Sequence, residues 1–460
     1  MNSKKNNLIF STLLCGAIVT SLLQTALTTA LPNIMKELQL TAATAQWLTS
    51  AFSLTMAVMI PATAFLIKRF STRQIFISAM TFFTVGTLIS WLAKNFGILL
   101  IGRIFQALGS GIILPLTQVA VMTMYPVEKQ GTIMGVFGLA TGAAPVIAPT
   151  LTGIAIDLWN WRSIFLISLI LAASTLILSL FTIKNVTPTE KIKFDLWSMI
   201  LCTVGLSGIL IGLSNLTSDN FAKAVIPLII GIISLIIFSK RQLNLKSPFL
   251  ELKTLKTKNF RVAVIISILL YAVMMGGSTV YPILIQSVMK KSAMISALVM
   301  LPGSLAMALI NPFTGRFFDR FGINKLVIGG SILMFISCLG VSFVSSFTPI
   351  GLLIVFYLMR LLAIGCIMMP IVTWGMQNLP SEQVAHGTAL LTALRTVSGA
   401  FGTAISMEIM TEISAPKPVN YAGVRVAFVT ITIIALIQLI ISLINFRTIK
   451  REPYENTKEK

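Results

Sequence analysis

The sequence predicts an all-α polytopic membrane protein with fourteen spanning helices, and three observations predict it. Hydrophobic residues make up 56% of the 460 and charged residues only 11%, with a mean hydropathy of +0.91, outside the range of soluble chains. Fourteen apolar runs are each long enough to cross about 30 Å of hydrocarbon as a helix, which satisfies its own backbone there. The 35 Lys and Arg, against 14 Asp and Glu, lie between these runs rather than along one face. The formal charge of +21 therefore reads as a membrane feature and argues against a nucleic-acid partner.

The runs follow in order. Residues 8 to 31 come after Lys4 and Lys5; that basic flank resembles a signal peptide, but the run is too long for a signal core and similar runs follow it. Run 44 to 67 stops at Lys68 and Arg69, 74 to 93 at Lys94, and 97 to 123 carries Arg103 as its one charge. Run 131 to 156 is rich in Gly, Ala and Pro, and 162 to 183 lies between Arg162 and Lys184. Runs 196 to 215 and 222 to 239 form a pair between Asp195 and Lys240. Run 261 to 287 opens on Arg261, 293 to 315 follows Lys290 and Lys291, and 325 to 346 opens on Lys325. The last three, 349 to 376, 387 to 409 and 424 to 446, include Arg360, Arg395 and Arg425.

An even number of spans puts both termini on one side. With Arg103, Arg360 and Arg395 taken as intramembrane, 24 of the remaining Lys and Arg fall on the side of the termini and 8 on the other. The excess of cations predicts cytoplasmic termini, and the Lys- and Ile-rich usage points to an AT-rich bacterial genome, so the expected location is a bacterial inner membrane. A repeat organises the spans: Ala64-Phe-Leu-Ile-Lys-Arg-Phe-Ser-Thr-Arg73 is echoed by Gly315-Arg-Phe-Phe-Asp-Arg-Phe-Gly-Ile-Asn324. The expected units are an N-terminal six-helix half (1–195), two inserted helices (196–240), a basic cytoplasmic loop (241–260) and a C-terminal six-helix half with its tail (261–460). Parallel repeats of this kind enclose a substrate cavity near the bilayer midplane.

In this order the motifs resemble the fourteen-helix drug:proton antiporter branch of the major facilitator superfamily, over nearly the whole chain. The resemblance rests on Thr25 with Ala30-Leu-Pro32, Gly102-Arg103-Ile-Phe-Gln106-Ala-Leu-Gly109, and Ala144-Pro-Val-Ile-Ala-Pro149-Thr-Leu-Thr-Gly153. It continues through Trp161-Arg162, Phe194-Asp195, Gln286-Ser287, Leu301-Pro302-Gly303 and His386-Gly387 through Gly402. It implies a major facilitator fold of two six-helix halves plus two inserted helices, alternating access, and multidrug efflux by ion antiport with antibiotic resistance as the outcome. Two departures stand out. Leu23 occupies the place of a first-helix Asp, and Lys68 and Ser71 occupy the places of an Asp and a Gly that the second copy keeps as Asp319 and Gly322.

Proton coupling needs a group whose titration the protein can move into the working range. Glu408 is the acid most plausibly inside a helix, with Glu412 one turn on, and Asp157 lies at the outer end of span five. Arg103 is the coupling cation that the resemblance implies; packing helix four to neighbouring carbonyls is its structural alternative. Candidate substrate contacts are Gln24, Thr28, Gln106, Gln118, Tyr271, Tyr281, Gln286, Arg360 and Trp374, which offer hydrogen bonds or aromatic faces inside spans. Candidate gating residues are Gly142, Pro145, Pro149 and Gly153 in span five, with Arg69, Arg73, Asp319 and Arg320 at the repeated turns. The 22 Met and 28 Phe supply adaptable apolar surface. His386 reads as a loop or helix-start residue, and Cys15, Cys202, Cys338 and Cys366 as small core or lipid-facing residues.

No P-loop, metal-ligand spacing or nucleophile with its base is present in the sequence, so no enzyme activity and no cofactor are expected. The expected function is secondary active export of small amphipathic or cationic drug-like compounds by a monomer, coupled to a proton or another ion. Export of a lipid or metabolite is the alternative, favoured by the scarcity of intramembrane carboxylates. A membrane sensor on a transporter scaffold is the remaining one.

Overall fold

The computed structural model describes residues 3–187, 195–215, 221–245, 248–414 and 419–446, with side chains except at 3, 28, 42, 43, 145, 146, 149, 150, 157, 221 and 293. Those residues form fourteen α-helices, with short 3-10 turns at Leu252–Lys256 and Ser381–Gln383. The first six are α1 (Ser3–Leu38), α2 (Ala42–Arg69), α3 (Thr72–Trp91), α4 (Phe96–Met124), α5 (Val127–Leu158) and α6 (Ser163–Thr182). Next come α7 (Leu196–Ser214) and α8 (Phe221–Asn244). The last six are α9 (Lys258–Ile283, running into a π-turn at Leu284–Val288), α10 (Ala293–Phe321), α11 (Asn324–Ser342), α12 (Ile350–Gln377), α13 (Val384–Ser414) and α14 (Tyr421–Phe446).

Twelve of these helices are long and apolar enough to cross a membrane, by length and composition over their described residues. The other two, α5 and α13, are compatible with the expected fourteen spans, since they run for 32 and 31 residues. Their sequences hold many Gly, Ala, Thr and Ser, small residues that let helices approach closely; α13 is buried along most of its length, whereas the later turns of α5 expose Ile147, Leu151, Ile154 and Leu158.

The two halves repeat the same pairings. In the first, α3 packs on α4 and α6, α2 on α4, and α1 on α4, α5 and α6; in the second, α11 packs on α12 and α14, α10 on α12, and α9 on α12, α13 and α14. Each helix of the first set thus corresponds to the one eight places later. The junction follows the same symmetry: α5 lies on α10, and α13 on α2. Helices α7 and α8 pair with each other, and α7 packs on α2 and α13. Much of α8 faces outward, with Ile226, Ile229, Ile233 and Ile236 exposed as a lipid-facing stripe.

The start of α1 and the end of α14 lie on one face, called here the terminal face, which gathers the ends of the even-numbered helices and the starts of the odd-numbered ones. The repeated turns on it are built differently. Ser71 caps α3 through a capping box with Gln74, whereas Gly322 ends α10 at φ +79°, a left-handed conformation that glycine adopts without strain. Asp195 caps α7 and pairs with Arg241 of α8 at 3.0 Å. Burial acts to raise this carboxyl, but hydrogen bonds from Ser198 and Arg241 outweigh it and hold Asp195 below its ordinary range. On the opposite face, Glu37 accepts from Trp161 and Arg162, and the Arg162 guanidinium holds the Glu37 carboxyl low.

Candidate transport site and gate

Arg103 enters α4 about 10 Å from its start, at 1.5 Å per residue. Gly86 and Gly102 let α3 and α4 touch, since a Cβ on Gly102 would stand 2.8 Å from the Gly86 carbonyl. The guanidinium is 1% exposed; its Nε donates to the Leu48 carbonyl (3.2 Å) and its Nη1 to Gln106 Oε1 (2.7 Å). Gln106 Nε2 donates in turn to Ser90 Oγ, and the Phe52 ring lies 4.2 Å from the guanidinium carbon. One buried cation thus joins α2, α3 and α4.

Arg360 sits on α12, the counterpart of α4, and is fully buried. Its Nη2 donates to the Val273 and Met274 carbonyls of α9 at 2.7 and 2.6 Å, while Nε and Nη1 have no partner among the described residues. Gly277 makes the space, because a Cβ there would stand 2.4 Å from the guanidinium carbon. Gly277→Ala is therefore expected to displace Arg360 and lower stability by about 2 kcal/mol, the scale of overpacking. An unchanged thermal midpoint in detergent would contradict this. Tyr281 is buried between Tyr357 and Phe428 with its hydroxyl unpartnered, inside the second half.

A third buried cation, Arg395 of α13, is 5% exposed and lies over the Tyr271 ring at 4.3 Å. The sequence marked it as intramembrane but gave it no role; its place in an apolar run was the available signal. Gly402 brings α13 against α9, and Ser398 donates to the Ile268 carbonyl. Further along α13, Glu408 is half-buried with its Oε2 enclosed and without a hydrogen-bond partner, and Glu412 is exposed. Gln24 is half-buried; Gln118 is buried with Oε1 unpartnered. Gln286 is exposed on the π-turn, and Trp374 packs edge-on against Phe446 of α14. The side chains of Thr28, Pro145, Pro149 and Asp157 lie outside the described residues. No group of three or more described His, Cys, Asp or Glu residues is arranged to hold a metal.

The hydrogen bonds described between the halves gather on the terminal face. Asp319 of α10 accepts from the N–H groups of Gly131 (2.9 Å) and Thr132 (2.7 Å) and from the Thr132 hydroxyl. Gln377 Nε2 of α12 donates to the Val127 carbonyl and Gln130 Oε1 of α5. Glycines set the approach of α5 to α10: a Cβ on Gly315 would stand 2.2 Å from the Gly131 carbonyl, and one on Gly135 2.4 Å from that of Asn311. The contact loosens along α5, to 3.5 Å from Met307 at Gly142 and to nothing within 4 Å at Gly153. Of the basic residues at these turns, Arg69 is exposed, Arg73 donates to the Leu180 carbonyl, and Arg320 lies over Phe321. His386 is 2% exposed in the first turn of α13, where its Nδ1 accepts from the Glu251 N–H.

Comparison with known proteins agrees with this architecture. The Major Facilitator Superfamily profile matches residues 13–403. An uncharacterized transporter of that type, YcnB of Bacillus subtilis, is 39% identical over 444 residues, covering 95% of this chain and 94% of its own. The lincomycin resistance protein LmrB of the same organism is 35% identical over 450 residues, covering 94% of each. In fold, the human organic anion transporter MFSD10 superposes with a TM-score of 0.72 at 14% identity, over 96% of this chain and all of that one. The paired six-helix halves and these matches together make the chain a transporter rather than an enzyme, and it belongs to the major facilitator superfamily.

Proposed function

We propose that the protein exports small amphipathic drug-like compounds from the cytoplasm by proton antiport, working as a monomer. The observation that carries this reading is the 35% identity, end to end, with a protein named for lincomycin resistance. The cation excess on the terminal face supports cytoplasmic termini, so that the described conformation is closed toward the cytoplasm. Glu408 is the proposed proton carrier: it is a carboxylate inside a spanning helix with one oxygen enclosed and without a hydrogen-bond partner, and the first helix offers only Leu23 where the related branch has an acid. Arg103, Gln106 and Gln118 are the proposed polar lining of the first half, and Arg395 over Tyr271 that of the second.

The test is uptake of radiolabelled lincomycin into proteoliposomes under an imposed pH gradient, with wild type and Glu408→Gln compared at equal reconstitution. Gradient-driven uptake is expected in the wild type and a loss of at least about tenfold in the variant. Equal uptake with and without the gradient would remove proton coupling, and none in either would remove this substrate class. A second reading, export of an anionic lipid or metabolite, is favoured by the three buried arginines, which no described carboxylate pairs.

A further inference from the structure

The repeat aligns Lys68 of α2 with Asp319 of α10, and the two residues guard junctions related by the same eight-helix shift. Their chemistry differs. Asp319 fills the α5–α10 junction, where its two oxygens take three donors from Gly131 and Thr132. At the α2–α13 junction the corresponding side chain is a half-exposed cation, and no described carboxylate lies within ion-pair distance of it. The matching pair on α13, Gly387 and Thr388, turns away from α2: a Cβ on Gly387 would meet Leu379, and the Thr388 hydroxyl donates to Met376 Sδ. What remains beside Lys68 is a cleft of about 460 Å³ with walls from both halves, among them Ile67, Met122, Gln130, Gln377 and Val384.

We propose that this cleft binds an amphipathic carboxylate, whose anionic group pairs with Lys68 as the counterpart of the acid that Asp319 supplies in the other copy. Its apolar body lies against Ile67, Met122 and Val384. The volume falls within the 300–1,000 Å³ of small-molecule sites, and the mixture of an apolar wall with a few polar groups is typical of them. Gln130 and Gln377 line the cleft with their amide N–H groups already donating to the Met122, Tyr125 and Val127 carbonyls and to Gln130 Oε1, so Lys68 is the group left to pair with the anion, and Glu382 at the rim is exposed to solvent, where its charge is screened. His386 lies next to the cleft, and its one described bond is to the Glu251 N–H.

Binding there has a consequence for transport. The walls come from α2, α4 and α5 on one side and from α12 and α13 on the other, and these must part when the terminal face opens. A ligand held by both sets binds the closed form alone, so it favours that form and slows the cycle. This rests on alternating access in the superfamily and is independent of what the protein exports.

The experiment uses the purified full-length protein in detergent with naphthalene-1-acetate as probe and naphthalene-1-acetamide as its uncharged control. The acid is expected to raise the thermal midpoint saturably. Lys68→Gln should weaken that effect at least about tenfold, the scale of a charge-assisted contact, while Lys68→Arg retains it. Spin labels at Lys129→Cys, exposed beside the Gln130 wall, and at Ser381→Cys, on the wall of the other half, should report a narrower distance distribution when the acid is added. The proposal is overturned if the acid gives no saturable shift, if the acetamide matches it, or if Lys68→Gln responds as the wild type does. Should Lys68→Gln prove unstable by its own midpoint, the acid–amide contrast and Lys68→Arg decide.

Discussion

Asp319→Ala is expected to move the protein toward a state open on the terminal face and to cut export severely. The carboxylate receives two backbone N–H groups and a hydroxyl from α5, one charge holding three donors across the junction of the halves. Hydrogen bonds to charged groups are each stronger than neutral ones, and alanine leaves the donors at the start of α5 without their acceptor. A net loss of about 2 kcal/mol for the set shifts the closed-to-open ratio about thirty-fold. The check is the same 129–381 spin-label pair, in a background where Cys15, Cys202, Cys338 and Cys366 are replaced. A longer-distance population should grow in Asp319→Ala; an unchanged distribution would mean that Gln377 and the glycine contacts close this face unaided. Asp319→Asn is expected to fall between, because its amide can accept from only one side and presents N–H groups to the others.

The second large effect is steric. Gly315→Ala is expected to destabilise the protein by about 3 kcal/mol, at the upper end of overpacking costs, and to separate α5 from α10. The added methyl would meet the Gly131 carbonyl oxygen and carbon and the Thr132 Cα, all backbone atoms that no rotamer change can move. Gly153→Ala on α5 provides the contrast, since its Cβ meets nothing within 4 Å. There the ordinary helix preference for alanine over glycine applies, and a gain of up to about 1 kcal/mol is expected. Thermal midpoints of the two variants in one detergent give the comparison, and equal midpoints would count against so close a helix contact. The first copy of the repeat carries Ala64 where the second has Gly315, so the two junctions also differ in how closely their helices can approach.

The sequence by itself determined the number and order of the helices, the two related halves and the inserted pair. Each span is a local property, about twenty residues that must satisfy their own backbone in hydrocarbon, and it is written in one stretch of chain. Motif residues such as Arg103 and Gln106 were legible for the same reason, three places apart on one helix, and they are hydrogen-bonded to each other. Partnerships between distant segments were not legible. Asp319 finds Gly131 across 188 positions, and Arg360 finds Val273 across 87. Trp374 and Gln286 looked equal to Tyr271 as polar or aromatic residues in late spans, yet one faces α14 and the other is exposed on a π-turn. Helical periodicity says which residues share a face but not what that face meets. Only the packing of the halves decided that Asp319 closes one junction while Lys68 leaves a cleft in the other, because a side chain's function there depends on donors contributed by a different helix.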